Sequence, residues 1–126
     1  MMLHLLVVVM ILFSKDENIR AALPQSYSQS QFEDAESVFD GVLALTMVCF
    51  AIEAVGIFGG FTTFNNGLAF LQICAHFSAT AALSYFVVDR WHHMRYWSIW
   101  LFTSAIPALF ETIAISRVLC CRARRW

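Results

Sequence analysis

Charge is scarce in this chain. Of its 126 residues only 13% are charged and 60% are hydrophobic, and the formal net charge is −1. Such a composition leaves little chain outside a membrane in which to build a soluble catalytic fold, and it offers no basic surface for nucleic acid. It predicts a small integral membrane protein with one domain.

Cysteines, glycosylation signals and catalytic motifs are also few or missing. The four cysteines are Cys49, Cys74, Cys120 and Cys121. None lies in a predicted loop, so no disulfide framework is expected, and no Asn-X-Ser/Thr sequon occurs. The sequence shows no nucleophile beside a base, no phosphate-binding loop and no complete set of metal ligands. We therefore expect a protein that is not an enzyme and that has no cofactor.

Long apolar runs are what the chain has in abundance. The clearest covers residues 68–88 and carries one histidine, His76, and no formal charge. About 20 apolar residues at a rise of 1.5 Å match a hydrocarbon core of about 30 Å. The sequence predicts an all-α membrane protein, an antiparallel bundle of four transmembrane helices with short loops. The predicted helices cover about residues 1–19, 41–61, 68–88 and 97–119.

The first apolar run, residues 1–13, is short, and a signal peptide is the alternative to a retained helix. The run has no basic segment before it and no small-residue cleavage site after it, which favours a retained helix that continues to about residue 19. Residues 14–40 are predicted as the longest loop, with Pro24 ending any helix from the first run. This predicted solvated loop ends in an acidic run of Glu33, Asp34, Glu36 and Asp40.

Small residues and a proline indicate where the predicted helices pack. The G-x-x-x-G of Gly56 and Gly60 points the same way as Glu53, although such a motif alone is a weak signal. Pro107 leaves the carbonyl of Thr103 without its helical donor, so a kink is expected there. The residues predicted to pack helices together are Gly56, Gly60, Ala75, Ala79, Ala82 and Pro107.

Three ionisable groups lie inside predicted spans. Glu53, His76 and Glu111 are each about 12 Å deep from the same membrane face if the spans alternate in direction. Burying such groups costs roughly several kcal/mol unless they are partnered or neutral. We therefore predict that they meet as one intramembrane polar cluster. In the alternative, each group separately bonds a partner subunit or a backbone carbonyl.

The ends of the last two spans are predicted to lie at the membrane surface. Asp89, Arg90 and Trp91 open a cluster typical of the interface, and the neighbouring pair His92 and His93 is predicted to be solvated rather than metal-binding. The tail places Cys120 and Cys121 among the arginines Arg117, Arg122, Arg124 and Arg125. This context suits S-palmitoylation and anionic head groups, and equally a plain stop-transfer flank with free thiols.

These residues resemble the transmembrane protein 107 family, four-helix membrane proteins of the ciliary transition zone. The matching stretches are LHLLVVV, LFSKDENIRAALP, FAIEAVGIF, TFNN, CAHFSATAALSYF, DRW, YWSIWLF and SAIPALFE. Several place polar residues inside apolar runs, which hydropathy alone would not produce. The chain departs from the family in a shorter N-terminus and in a tail of Cys and Arg rather than Lys.

The resemblance implies a non-enzymatic scaffold of the ciliary gate, similar to other members of the Meckel syndrome protein module. Its implied partners are other transition-zone tetraspan and tectonic-type membrane proteins, together with membrane lipids. No nucleic acid and no small-molecule substrate are implied. With the arginine-dense tail, the resemblance also favours both termini on the cytoplasmic side.

Two other functions remain open from the sequence. A proton- or haem-handling membrane protein would use His4, His76, Glu53 and Glu111. An assembly factor of another membrane would differ from the ciliary scaffold only in its location.

Overall fold

The computed structural model describes residues 1–61 and 65–123, with side chains described as far as Cys121. Helices make up most of this described part of the chain, and it contains no strand, which confirms the all-α prediction. The helices are α1 (Met2–Ala22), α2 (Gln29–Phe58), α3 (Asn66–Val88), α4 (Arg95–Trp100) and α5 (Ile106–Ala123). A π-helical turn, Leu101–Ala105, joins α4 to α5.

Among the described residues, three helical segments are long and apolar enough to cross a membrane: Gln29–Phe58, Asn66–Val88 and Arg95–Cys121. Helix α1 has 21 residues, but Lys15, Asp16, Glu17 and Arg20 make its C-terminal part polar. Large apolar side chains point outward from the spans, with Phe58 84% and Phe77 78% exposed. This outward apolar surface is what a hydrocarbon solvent requires.

The prediction of a long loop over residues 14–40 was wrong, because most of that stretch is helical. Helix α1 continues to Ala22, and α2 begins at Gln29, so the connection is short. A capping box starts α2: the Ser28 hydroxyl accepts from the Gln31 N–H at 3.3 Å, and the Gln31 side chain accepts from the Ser28 N–H at 3.0 Å. Lys15 then pairs with Glu36 at 2.9 Å and Asp40 at 2.7 Å, which places the acidic run against α1.

Helices α2 and α3 end in the same way. In each, the second residue past the cap donates its N–H to a carbonyl one turn back: Phe61 to Gly56 at 3.0 Å, and Trp91 to Phe86 at 3.1 Å. The residue before it has a positive φ, +69° at Gly60 and 48° at Arg90. Gly60 was predicted to pack helices, and this is corrected: it lies beyond α2, where a Cβ would meet no described residue within 4 Å, and its role is to end the helix.

The π-helical turn lies directly before Pro107. Its distinctive feature is that the Ile106 N–H reaches back to the carbonyl of Leu101, five residues earlier. A wider turn accommodates the proline ring, which would otherwise collide with the preceding turn of an α-helix. The predicted local disturbance at Pro107 therefore takes the form of a π turn, and the Thr103 hydroxyl bonds the Ile99 carbonyl at 2.8 Å within it.

The core lies where the C-terminal ends of α1 and α3 pack against the first part of α2. The Phe39 ring lies 6.0 Å from Phe86 and 5.4 Å from Tyr96, centroid to centroid. The Tyr96 hydroxyl is 3.2 Å from that of Thr46, so the one polar atom of this aromatic group has a partner. Helix α1 packs on both α2 and α3, while α5 packs mainly on α2.

Candidate functional site: buried polar contacts between the helices

Three ionisable side chains from three helices form a continuous line, which we call the polar line: Glu53, His76 and His4. The His76 ring is its centre, with Nε2 3.1 Å from Glu53 Oε2 and Nδ1 3.0 Å from His4 Nδ1. Glu53 and His4 are 1% exposed and His76 is 8% exposed. The line therefore ties α1, α2 and α3 together below the surface of the protein.

Phe50, one turn before Glu53, holds the two imidazoles in place. Its ring is stacked on His76 at 6.0 Å with an interplanar angle of 6°, and it meets His4 edge-on at 4.8 Å. Ring faces and edges attract each other in such arrangements. The same turn of α2 thus supplies both the carboxyl that lies beside His76 and the ring that orients it.

Glu111 makes a second polar contact on the same helix α3. It accepts a hydrogen bond from the Gln72 amide, one turn before His76. Glu111 also lies against Gly56, where an added Cβ would stand 1.4 Å from Glu111 Oε1. Of the three residues predicted as a cluster, the structure joins Glu53 to His76 directly and places Glu111 on Gln72 and Gly56. Gln72 was missed from the sequence, although an amide in an apolar run is itself a signal.

Most of the other residues predicted to pack helices lie inside. Ala75 and Ala79 are buried on α3, Ala82 is half-buried, and Gly56 is buried against Glu111. Pro107 is buried next to the π-helical turn. Small side chains at these positions let the helix backbones come close.

The predicted interfacial residues close the polar end of α3. Asp89 caps the helix and Arg90 pairs with Glu17 at 3.3 Å, with both side chains about two-thirds exposed, so the pair contributes little stability. Trp91 is 37% exposed. The residue that joins the elements here is Asn18, missed from the sequence: it is buried and donates to the carbonyls of Phe86 at 3.1 Å and Trp91 at 3.3 Å.

His4 and His76 lie closer together than the two histidines of an axial haem or metal pair. A metal between two imidazoles keeps each nitrogen about 2 Å away, so the nitrogens of an axial pair stand roughly 4 Å apart with the metal between them. His4 and His76 instead bond each other directly at 3.0 Å. Within residues 1–61 and 65–121, no three His, Cys, Asp or Glu side chains are grouped to hold a metal ion.

The remaining candidates lie near the helix ends. Cys120 and Cys121 are exposed in the last turns of α5. His92 and His93 are stacked at 4.5 Å, and His93 is buried rather than solvated, contrary to the prediction for it. Burial lowers the pKa of His93, and its neighbour His92 lowers it further.

The fold and these contacts define a polytopic α-helical membrane protein whose buried polar groups join its helices. No solved structure matches the chain. The family model for the transmembrane protein TMEM107 matches residues 1–115.

Relatives in three vertebrates carry the same family name. Transmembrane protein 107 of Mus musculus is 40% identical over 109 residues, which are 86% of this chain and 78% of the mouse protein. The Homo sapiens protein is 37% identical over 108 residues, 86% and 77% of the two chains. The Danio rerio protein is 32% identical over 108 residues, 86% and 80%. The chain belongs to the transmembrane protein 107 family, as its sequence stretches predict.

Proposed function

We propose that this protein is a non-enzymatic scaffold of the ciliary transition zone. It helps to assemble the gate at the base of the cilium, recruits partner membrane proteins and so controls the composition of the ciliary membrane. Membership of the transmembrane protein 107 family supports this proposal. The partners are other transition-zone tetraspan and tectonic-type membrane proteins, together with membrane lipids.

The observation that carries the proposal is how the buried polar groups are used. The carboxyl of Glu53 lies 3.1 Å from the ring of His76 across two helices, and Glu111 accepts a hydrogen bond from Gln72 across another pair. Interhelical polar contacts of this kind fix which helix faces meet. A chain whose intramembrane polar groups set helix packing presents a defined outer surface, and that surface is what a scaffold offers to partners.

In this proposal α1 is a fourth span, and both termini are cytoplasmic. Helix α1 packs on α2 and α3, and its apolar first half adjoins the buried His76. The C-terminal arginines favour the cytoplasmic side by the positive-inside rule. Acylation of Cys120 or Cys121, both exposed, would add affinity for an anionic inner leaflet.

Imaging in ciliated cells tests the proposal. A tagged copy of the chain is expected to concentrate between the basal body and the axoneme, and loss of the protein is expected to deplete partner membrane proteins there. The tag at the C-terminus should be reached by antibody only after permeabilisation. A tagged protein spread evenly over another organelle would contradict the ciliary assignment and favour an assembly factor of that membrane.

One specific observation favours a second function, proton handling. Glu53, His76 and His4 form a continuous line of ionisable groups, with contacts of 3.1 Å and 3.0 Å. Proton relays in membrane proteins use such chains. Proteoliposomes with an internal pH dye separate the two functions: the scaffold predicts no proton flux above that of empty vesicles.

A further inference from the structure

A cavity of about 660 Å³ lies beside the polar line and opens to the outside of the helices. His4 and His76 lie in its polar wall, together with Gln72 and Thr80. The rest of its lining is mainly apolar, and the rim carries Ile73 and Phe77, which are 68% and 78% exposed. A pocket of this size holds a ligand of several hundred daltons. Because it faces the hydrocarbon, its occupant is a lipid rather than water.

The hydrogen bond between the two imidazoles decides what His4 presents to the cavity. The Nδ1 atoms of His4 and His76 are 3.0 Å apart, so one of them carries a hydrogen and the other accepts it. Where His76 donates, neutral His4 carries its own hydrogen on Nε2. Where His4 donates, its Nε2 is an acceptor.

His4 Nε2 has no hydrogen-bond partner among residues 1–61 and 65–121. The ring that carries it is 1% exposed and lines the cavity. An unpaired polar atom in a lipid-facing site is costly, and a ligand that pairs with it gains affinity. A hydroxyl is the suitable partner, because it accepts from Nε2–H in the first arrangement and donates to bare Nε2 in the second.

The depth and shape of the cavity narrow the ligand. His76 is ten residues along α3 from Asn66, about 15 Å in, so the hydroxyl that reaches this level sits on the apolar body of the lipid rather than at the head group. The cavity follows α3 from Ala69 to Ala81, about 18 Å, so an elongated apolar body fits along it. A rigid fused-ring body loses less entropy on binding than a flexible chain.

We propose that this cavity binds a sterol that carries a hydroxyl on its side chain, with the hydroxyl bonded to His4 Nε2. The sterol rings lie along α3 between Ile57 and Phe77, and the polar line holds the His4 ring in position. The site does not depend on the scaffold role, because it follows from the cavity and the imidazoles alone.

Photolabelling of the purified full chain in nanodiscs tests the site. The probes are two photoactivatable sterols that differ only in the side-chain hydroxyl. The wild type is expected to take up the hydroxylated probe about tenfold more readily, the equivalent of one good hydrogen bond. Label should fall on the residues that line the cavity, including Ile73 and Phe77. Equal labelling by both probes, or label mainly on the opposite face at Phe102, would overturn the proposal.

Three variants sharpen this result. His4→Phe keeps an aromatic ring beside Phe50 but removes Nε2, so the preference for the hydroxylated probe should disappear. His92→Phe, the same change outside the cavity, should leave the preference intact. Ala81→Trp places a large ring in the cavity and should reduce labelling by both probes at least fivefold. Preference that survives in His4→Phe, or undiminished labelling of Ala81→Trp, would contradict the site.

A measurement on the wild type covers the case in which His4→Phe does not fold. With ¹⁵N-labelled histidine, the hydroxylated sterol should shift the His4 Nε2 resonance, while the sterol without the hydroxyl should leave it near its starting position. His92 serves as the internal reference. No difference between the two sterols at His4 would overturn the proposal.

Discussion

Two regions of this protein, one at the membrane surface and one at mid-depth, pair the same kinds of polar group, but the pairs contribute differently to its packing. At the membrane surface, Lys15 pairs with Glu36 and Asp40, and Arg90 pairs with Glu17, with side chains that are partly or largely exposed. At mid-depth, Glu53 pairs with His76 with almost no exposure. Surface pairs gain little because water competes for them, whereas a group buried in lipid has no other partner. Depth, rather than the number of contacts, decides which polar groups specify the packing.

The difference also appears in what surrounds each region. The surface pairs are held by long side chains that can move, while the mid-depth pairs are enclosed by Phe50 and by the close approach of α2 to α5 at Gly56. Substitutions at mid-depth should therefore cost more than those at the surface.

The largest effect is expected at Gly56. An alanine there would place its Cβ 1.4 Å from Glu111 Oε1, so Glu111 must move away from Gln72, and we expect Gly56→Ala to cost about 1–3 kcal/mol of unfolding free energy. Gly41→Ala on the same helix is the matched control, since a Cβ there meets nothing within 4 Å, and it should gain about 0.5–1 kcal/mol. Detergent unfolding curves measure both. Equal effects at the two glycines would show that the close approach at Gly56 is not tight.

Asn18 is expected to come next, because it lies at the membrane surface and yet is buried. Asn18→Ala removes the donor to the carbonyls of Phe86 and Trp91, and we expect a loss of about 1–2 kcal/mol. The loss should be accompanied by faster backbone hydrogen exchange at residues 89–92, which the amide holds in place. Unchanged exchange there, with stability intact, would mean that Asn18 does not secure the end of α3.

A smaller effect is expected at the surface ion pairs. Lys15→Met keeps most of the side chain and should cost less than about 1 kcal/mol, with the loss shrinking as salt is added. Glu17→Gln removes a more exposed pair and should change the melting temperature by no more than experimental error. A loss at Lys15 that salt does not reduce would point to packing rather than charge.

The smallest effect is a pH dependence at His93. Burial lowers the pKa of His93 in the folded state, so the unfolded state binds protons first as the pH falls below the ordinary value of 6.5. Stability is therefore full above that value and declines as the pH falls towards the lowered pKa. The melting temperature of His93→Gln should decline less between pH 7 and 5 than that of the wild type, while exposed His92→Gln should follow the wild type. Identical profiles for all three would exclude His93 as a source of acid sensitivity.

How much could be predicted from the sequence follows the same division by depth. The apolar spans could be predicted because a soluble protein seldom has apolar runs of that length. The ionisable residues inside them could be singled out because such residues are rare within membrane spans. The contact between His76 and His4 of α1 could not be predicted, since the depth of His4 depends on how far α1 is shifted along α3. Tertiary packing sets that shift, and no local pattern records it.

Two other differences have local causes. The helical start of α2 was missed because its acidic residues suggested a solvated loop, although Ser28 and Gln31 form a capping box and Phe32, Ala35 and Phe39 share one face. Gly60 was assigned to a packing motif by its spacing from Gly56. Its positive φ shows that the same glycine serves to end the helix.

A double-mutant cycle between Glu53 and His76 tests the central claim, that buried polar pairs fix the helix packing. The single variants are Glu53→Gln and His76→Ala, compared with the double variant by unfolding in detergent and by recruitment to the ciliary base. A coupling of about 1 kcal/mol is predicted, near the upper part of the range for contacts within membranes. If the double variant loses the plain sum of the singles, to within about 0.3 kcal/mol, the two residues act separately and the claim is contradicted.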